Sequence, residues 1–351
     1  MTLLLTVQGD RWRAHLRKVA EDTPGLVPVA KGNGYGFGLH RLARKAGWLA
    51  DQGLGGGTLA VGTYEELPEV ATRNAGDLLV LTPWRPFHPM PDPGLVGRVV
   101  HTVSRPDDLA ALLDAAPGAR FVLELETSMR RHGMSAQQLW SLARRLPGGR
   151  LEGVALHLPL ASGNHLPEVE RLLTDIVAAD LPTSTVWVSH LSPAELATLR
   201  SSYADLTVRP RIGTDLWLGD RDALRVTATI LDVHELSRGD HYGYRGRAAP
   251  RAGHLLVVSG GTAHGIGLES PPGPTDLLTR AKVVARGGLD ALGLTRAPYW
   301  LDGTQLRFAE PPHMQASMLF LPSGARVPDV GDRVDARVRY TATAFDRVDL
   351  V

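Results

Sequence analysis

At 351 residues, 43% hydrophobic and 21% charged, the chain has a globular makeup and exceeds one usual core, so a large domain with a smaller companion is expected. A net charge of +1 supplies no basic field and argues against nucleic acid as a partner. With no cysteine, disulfides, thiolate metal sites and a thiol nucleophile are excluded, which fits a cytoplasmic location.

The first ten residues, MTLLLTVQGD, alternate like a strand and lack the basic flank of a signal peptide. No apolar run approaches the roughly 18 residues that a membrane helix needs, so a soluble protein is expected. From about residue 27 to 211, short β-rich runs alternate with helical patterns. The expected strands are Val27–Ala30, Thr58–Gly62, Leu78–Leu81, Arg98–Thr102, Phe121–Leu125, Gly153–His157, Thr185–Ser189 and Leu206–Arg211. Between them, segments such as RPDDLAALLDAAP and SAQQLWSLARRLP repeat leucine at helical spacing. Eight such units fit an α/β fold of the TIM-type (β/α)8 barrel, although a doubly wound sheet also alternates. After Asp220 the texture changes to RVTATILDVHEL, GHLLVVSGG, ASMLFLP and DRVDARVRYTATAF, short apolar or alternating runs punctuated by Gly and Pro. The expected division is a barrel over 8–220 and a C-terminal, mainly β domain over 221–351, with residues 1–7 available as an added strand.

The stretch VPVAKGNGYGFG places Lys31 at the mouth of the first barrel strand, followed by Gly32, Gly34, Gly36 and Gly38. Position alone is compatible with a solvated loop charge. The glycines allow positive φ and close approach of backbone to a ligand. The spacing G-x-G-x-G-x-G is a poor match to a dinucleotide fingerprint.

Lys31-Gly-Asn-Gly-Tyr35-Gly-Phe-Gly38 resembles the cofactor-attachment segment of the alanine racemases, and the likeness extends with decreasing strength over nearly the whole chain. The resemblance implies a barrel that binds pyridoxal phosphate (PLP), a β domain, and a Schiff base at Lys31, which also serves as one of two proton-transfer bases. It implies that Tyr35 bonds the cofactor phosphate, unless it only packs. RPRIGTDLWLG resembles the segment at the last barrel strand, which sets Arg211 against the pyridine nitrogen and gives Gly213 and Thr214 to the phosphate. A guanidinium there would keep the nitrogen unprotonated and weaken the ring as an electron sink. Ser192 in VSHLSPAEL matches a phosphate-contacting serine and equally suits capping the helix after it. His157 matches a histidine that bonds the catalytic tyrosine; otherwise it is a core residue.

SRGDHYGYRGR resembles the segment carrying that tyrosine, with Tyr244 favoured over Tyr242, and alternation places both on one strand face. A phenol titrates near pH 10, so it needs a nearby cation to act as a base. Arg131 in LETSMRRHGMS matches an arginine beside the cofactor's phenolic oxygen and the substrate carboxylate, and Met314 in EPPHMQASMLFLP matches a methionine whose backbone contacts that carboxylate. The family's tyrosine comes from the other subunit, so the resemblance further implies a head-to-tail homodimer with shared active sites, an isomerase activity on a small amino-acid substrate, and D-alanine biosynthesis. No metal is implied.

Departures are equally informative. Glu124 replaces a carbamylated lysine and, with Glu126 on the same face, calls for a cationic partner such as Arg131. Gln315 stands where an aspartate is usual. GGTAHG, ending in His264-Gly265, replaces Gly-Tyr-Ala-Asp-Gly, and Phe345 or Asp346 takes the place of a phosphate-binding tyrosine. These changes leave open a racemase or epimerase of another amino acid or modified metabolite, and a catalytically silent PLP-binding relative.

Overall fold

The computed structural model describes residues 2–146, 148–160, 163–268 and 295–351. Two compact units divide the chain, one formed by Arg13–Gly219 and the other by Met1–Trp12 with Asp220–Val351. The chain opens with β1 (Leu3–Val7) and α1 (Gly9–Asp22).

In the unit of Arg13–Gly219, β2 (Val27–Ala30), β3 (Thr58–Val61), β4 (Asp77–Val80), β5 (Val99–Val103), β6 (Arg120–Leu125), β7 (Arg150–His157), β8 (Thr185–Ser189) and β9 (Thr207–Ile212) close into a parallel barrel. Each coincides with an expected strand: β2 and β8 have the expected bounds, and the other six differ by one to three residues at one or both ends. Closure is decided by β9 returning to β2, Val27 opposite Arg211 and Pro28 opposite Ile212, which a doubly wound sheet does not do. The connecting helices are α2 (Leu39–Asp51), α3 (Leu67–Ala71), α4 (Pro106–Ala115), α5 (Ala136–Ala143), α6 (Leu166–Ala178), α7 (Pro193–Ser202) and α8 (Thr214–Leu218). Local chemistry starts them: Pro106 opens α4, where a missing N–H costs nothing. Ser135 Oγ accepts from Gln138 N at 3.2 Å while Gln138 returns a carboxamide oxygen to Ser135 N at 2.9 Å, a capping box for α5.

The barrel interior is a plug of Val27, Val29, Ala60, Leu79, Val100, Val122, Ala155 and Trp187. Side chains alternate along a strand, so residues two further on share the inward face. Stepping up from the plug gives Lys31, Gly62, Leu81, Thr102, Glu124, His157, Ser189 and Arg211. Six of these eight positions, all but Gly62 and Leu81, carry polar or charged side chains, which the sequence thus stacks over an apolar core at the carboxyl ends of the strands. At the level of the plug, the Arg209 guanidinium, paired with Trp187 across β8 and β9, stacks 4.1 Å from its ring; below it, Arg120 makes a two-pronged bond to Asp77 (2.7 and 2.6 Å) and a third to Glu152 (2.8 Å).

The other unit is antiparallel in its main sheet. Strands β10 (Leu224–Leu236), β13 (Gly253–Ser259), β14 (Arg296–Leu301), β15 (Thr304–Phe308), β16 (Ala316–Pro322) and β17 (Arg333–Ala336) pair in the cycle β10-β13-β16-β15-β14-β17-β10, and β11 (His241–Tyr242) and β12 (Arg247–Ala248) form a separate hairpin. β1 extends the sheet beside β10, and β18 (Arg347–Leu350) runs parallel to β1. Within DRVDARVRYTATAF, β17 is the one strand that forms among the described residues. After Ala336 the chain turns, with Ala342 N bonding Arg339 O at 2.9 Å, before Asp346 meets β1.

Trp187 is fully buried, donates Nε1–H to the Glu152 carbonyl at 3.1 Å and carries Arg209 on its face. Trp187→Ala should cost about 3–5 kcal/mol, read as a lower denaturant midpoint with unchanged slope.

Candidate active site

The first βα turn explains the odd lysine. Lys31 follows β2 directly, and Glu66, three residues past Thr63, reaches across to hold its loop. Glu66 Oε1 accepts from Gly32 N and Oε2 from Gly62 N, both at 2.6 Å, so one carboxylate ties the turns after β2 and β3 together. Burial among the strand ends pushes the Lys31 ammonium below its ordinary range; Arg131 and Arg211 push the same way, and Glu66 opposes them. Tyr35 lies beyond the turn, buried, with its backbone in the left-handed region at φ 55°. Burial raises its phenol to about 12, so the hydroxyl keeps its proton. Gly213 packs against that hydroxyl so closely that any side chain there would collide with it. Tyr35 and the start of α8 therefore face one another, and the first amides of a helix have no partner within it.

Arg211 occupies the centre. It is 5% exposed, donates Nη2–H to the Leu156 carbonyl at 2.8 Å, and its Nε has no partner among the described residues. Burial lowers its pKa to about 10, with Glu124 opposing, so it remains a cation at neutral pH. Glu124 is 4% exposed and its Oε2 is likewise unpartnered among the described residues. Burial raises that carboxyl, and Arg211, ahead of Arg131 and Arg85, draws it back down. The cation that Glu124 calls for is thus Arg211 first, with Arg131 second.

Arg131 sits on the loop after β6, closed by Met134 N to Glu124 O (2.8 Å) and Glu126 N to Met134 O (3.0 Å). Thr127 Oγ1 donates to the His157 carbonyl at 2.7 Å, which fixes this loop to β7. His157 ends β7 with Nδ1 at 2.7 Å from Ser189 Oγ, and burial, then Arg211 and Arg131, push its imidazole down to about 3. Beside it lies His190, with ring centroids 5.0 Å apart and backbone at φ 63°. Its Nδ1 meets the Leu158 carbonyl at 2.6 Å; a carbonyl only accepts, so Nδ1 carries the proton and Nε2 is left as an acceptor. Ser192 is committed as a cap: Oγ accepts from Glu195 N at 3.3 Å and donates to Glu195 Oε2 at 2.7 Å. Sequence reasoning brought Lys31, Tyr35, Glu124, Arg131, His157, Arg211 and Gly213 to this mouth and missed Glu66, Ser189 and His190.

In the other unit the two tyrosines part company. Tyr242 ends β11, packs against Leu236, Ala249, Leu255 and Ala309, and donates its hydroxyl to the Ala309 carbonyl at 3.3 Å. Tyr244 lies in the turn before β12, 86% exposed, with its phenol free to project. The shared strand face expected from alternation fails because Gly243, at φ 72°, takes the chain out of the strand. Met314 and Gln315 are exposed and directly precede β16, and Asp346 is engaged by Leu3 N (2.7 Å) and by His264 Nε2 (3.0 Å).

The profile described as "Alanine racemase, N-terminal domain" matches residues 7–214. The chain belongs to that family. Solved alanine racemases share the fold at low identity, as expected of a divergent member. The Bartonella henselae enzyme, described with covalently bound pyridoxal phosphate, is 17% identical, with a TM-score of 0.73 over 100% of both chains. The Bacillus anthracis enzyme, described with bound L-Ala-P, is 18% identical with a TM-score of 0.69 over 98% of this chain and 90% of that one. The biosynthetic enzyme of Pseudomonas aeruginosa is 22% identical with a TM-score of 0.66 over 97% and 91%. Comparison with curated protein sequences finds no match. Among the described residues, no helix is long and apolar enough to cross a membrane, and no cluster could hold a metal ion.

His157 gives this alanine racemase family member a pH signature. Its folded pKa of about 3 lies below the ordinary histidine value, so its stabilising contribution is complete above about pH 6.5 and is lost as pH falls toward 3. His157→Asn should flatten the loss of stability between pH 6.5 and about 4, seen as a smaller drop in urea midpoint than in the unaltered protein.

Proposed function

We propose that the protein is a PLP-dependent racemase of alanine in which Lys31 and Tyr244 are the two proton-transfer groups. The observation that carries this reading is the buried Arg211 guanidinium, whose orphaned Nε shares one barrel layer with Lys31. PLP fits such a mouth. A pyridine nitrogen supplies the acceptor that Nε lacks, and a phosphate suits a protonated Tyr35 hydroxyl set against Gly213.

When bound, PLP acidifies the α-hydrogen of an amino acid by conjugation. Lys31 is the amine that would hold it, and Tyr35, Ser192, Gly213 and Thr214 would hold its phosphate. Ser192 then shares its hydroxyl with Glu195, because that proton is already given to the carboxylate. Arg211 stays charged, donates and cannot accept, so it keeps a proton off the atom it faces. Arg131, on its tied-down loop, would take the substrate carboxylate together with the backbone of Met314 contributed by a second copy of the chain. Lys31 Nζ is favoured in its unprotonated form by burial and by its two arginine neighbours, as a base requires. Tyr244 Oη would serve the opposite face, contributed by a second copy of the chain in a head-to-tail homodimer, with His157 supporting it. The expected role is D-alanine supply in the cytoplasm.

Exposed Gln315, where an aspartate is usual, favours one second reading: the same chemistry on another amino acid or a modified metabolite. α-Hydrogen exchange in D2O across an amino-acid panel decides between them. Alanine should exchange from both enantiomers, and Lys31→Ala and Tyr244→Phe should each lower the rate by about 10²–10⁴-fold. Exchange with another amino acid but not alanine would select the second reading, and exchange with none would overturn both.

A further inference from the structure

A phenol that must meet a substrate needs to be held in place while remaining exposed, and the Tyr244 hairpin does not hold itself. Strands β11 and β12 have two residues each, and isolated short hairpins are marginal in water. We propose that Glu310 and His313 form a positioning pair that fixes Tyr244, a role that rests on reading Tyr244 as the second proton-transfer group.

Glu310 is 2% exposed. Its Oε2 accepts from Tyr244 N at 3.1 Å and its Oε1 from His313 Nε2 at 2.6 Å. An ionised carboxylate only accepts, so His313 presents Nε2–H to it. The His313 ring then lies 4.5 Å from the Tyr244 ring, centroid to centroid, tilted by 48°. Backbone and ring of the tyrosine are thus held by two ends of one pair, a buried Glu310 and a half-buried His313. Gly243 makes the approach possible, since any side chain at that position would strike the Glu310 carboxylate.

The pair is itself anchored. The His313 carbonyl accepts from Thr262 N at 2.8 Å, and His313 N donates to Ala316 O at 2.9 Å. The turn bearing Thr262 is closed by Gly261 N donating to His264 Nδ1 at 3.2 Å, which leaves Nε2–H to bond Asp346 Oδ1 at 3.0 Å. Asp346 Oδ2 in turn accepts from Leu3 N in β1 at 2.7 Å. His264 and Asp346, two departures from the family pattern, therefore belong to one hydrogen-bonded path that ends on Tyr244. Preorganisation of this kind acts on the rate, because misplacing a reacting group by about 1 Å can cost about 100-fold.

The test uses full-length, PLP-loaded protein with fluorine-labelled tyrosine, comparing Glu310→Gln, His313→Leu and His313→Phe with the unaltered chain. Expected results are a mobile Tyr244 ring signal in Glu310→Gln and His313→Leu, partial restoration in His313→Phe, and kcat lower by about ten- to a hundredfold at constant KM. The α-deuterium isotope effect should rise in one direction of racemisation only, which a general loss of folding would not produce. A Tyr244 signal as ordered in both disrupting variants as in the unaltered chain would overturn the pair alone. Unimpaired exchange in Tyr244→Phe would instead overturn the reading of the tyrosine, and the pair's purpose with it.

Discussion

A guanidinium enclosed in a barrel, its Nε–H unpaired among the described residues, is the constraint on which the candidate site depends. Leaving a buried donor unsatisfied costs about 1–3 kcal/mol, and a charged one more. Arg211 meets that cost with one carbonyl bond and the field of Glu124, and still keeps Nε unpartnered among the described residues. Buried charge retained without full pairing marks functional sites more often than stable ones. Lys31, His157 and Glu124 are arranged around this one cation, which pushes Lys31 and His157 further below their ordinary ranges and opposes the rise that burial imposes on Glu124.

The barrel supplies that arrangement through alternation alone. A layer of Val, Ala, Leu and Trp fills the interior, and the next inward residues on β2, β6, β7, β8 and β9 carry the polar groups of the candidate site. Loops then refine it. Glu66 ties the Lys31 turn to the next strand, and Thr127 ties the Arg131 loop to His157. In the other unit, the same economy appears at Tyr244, where a single buried carboxylate orders an exposed turn.

Much of this was legible in sequence because it is periodic or carried by a motif. All eight barrel strands could be read from short apolar runs, and Lys31 and Arg211 from their neighbours. The residues that escaped are those whose role is set by distant partners. Glu66 looks like any helix-start acid until Gly32 and Gly62 are seen to share it, although its spacing from Thr63 matches a capping box and offered a local hint. His190 gives no local sign of its left-handed backbone or of its bond to Leu158. Alternation sets the two tyrosines on one face only if a strand runs through Gly243, and a glycine at that point is itself a warning of a turn. The pairing of His264 with Asp346 spans 82 residues and has no periodic signature.

The chain contains four lysines, at positions 18, 31, 45 and 282, so attachment of a carbonyl cofactor can be read unambiguously. Borohydride reduction of the protein with added pyridoxal phosphate, followed by peptide mass mapping, should place one reduced adduct on Lys31. Its absence there, or equal labelling of the other lysines, would contradict the account.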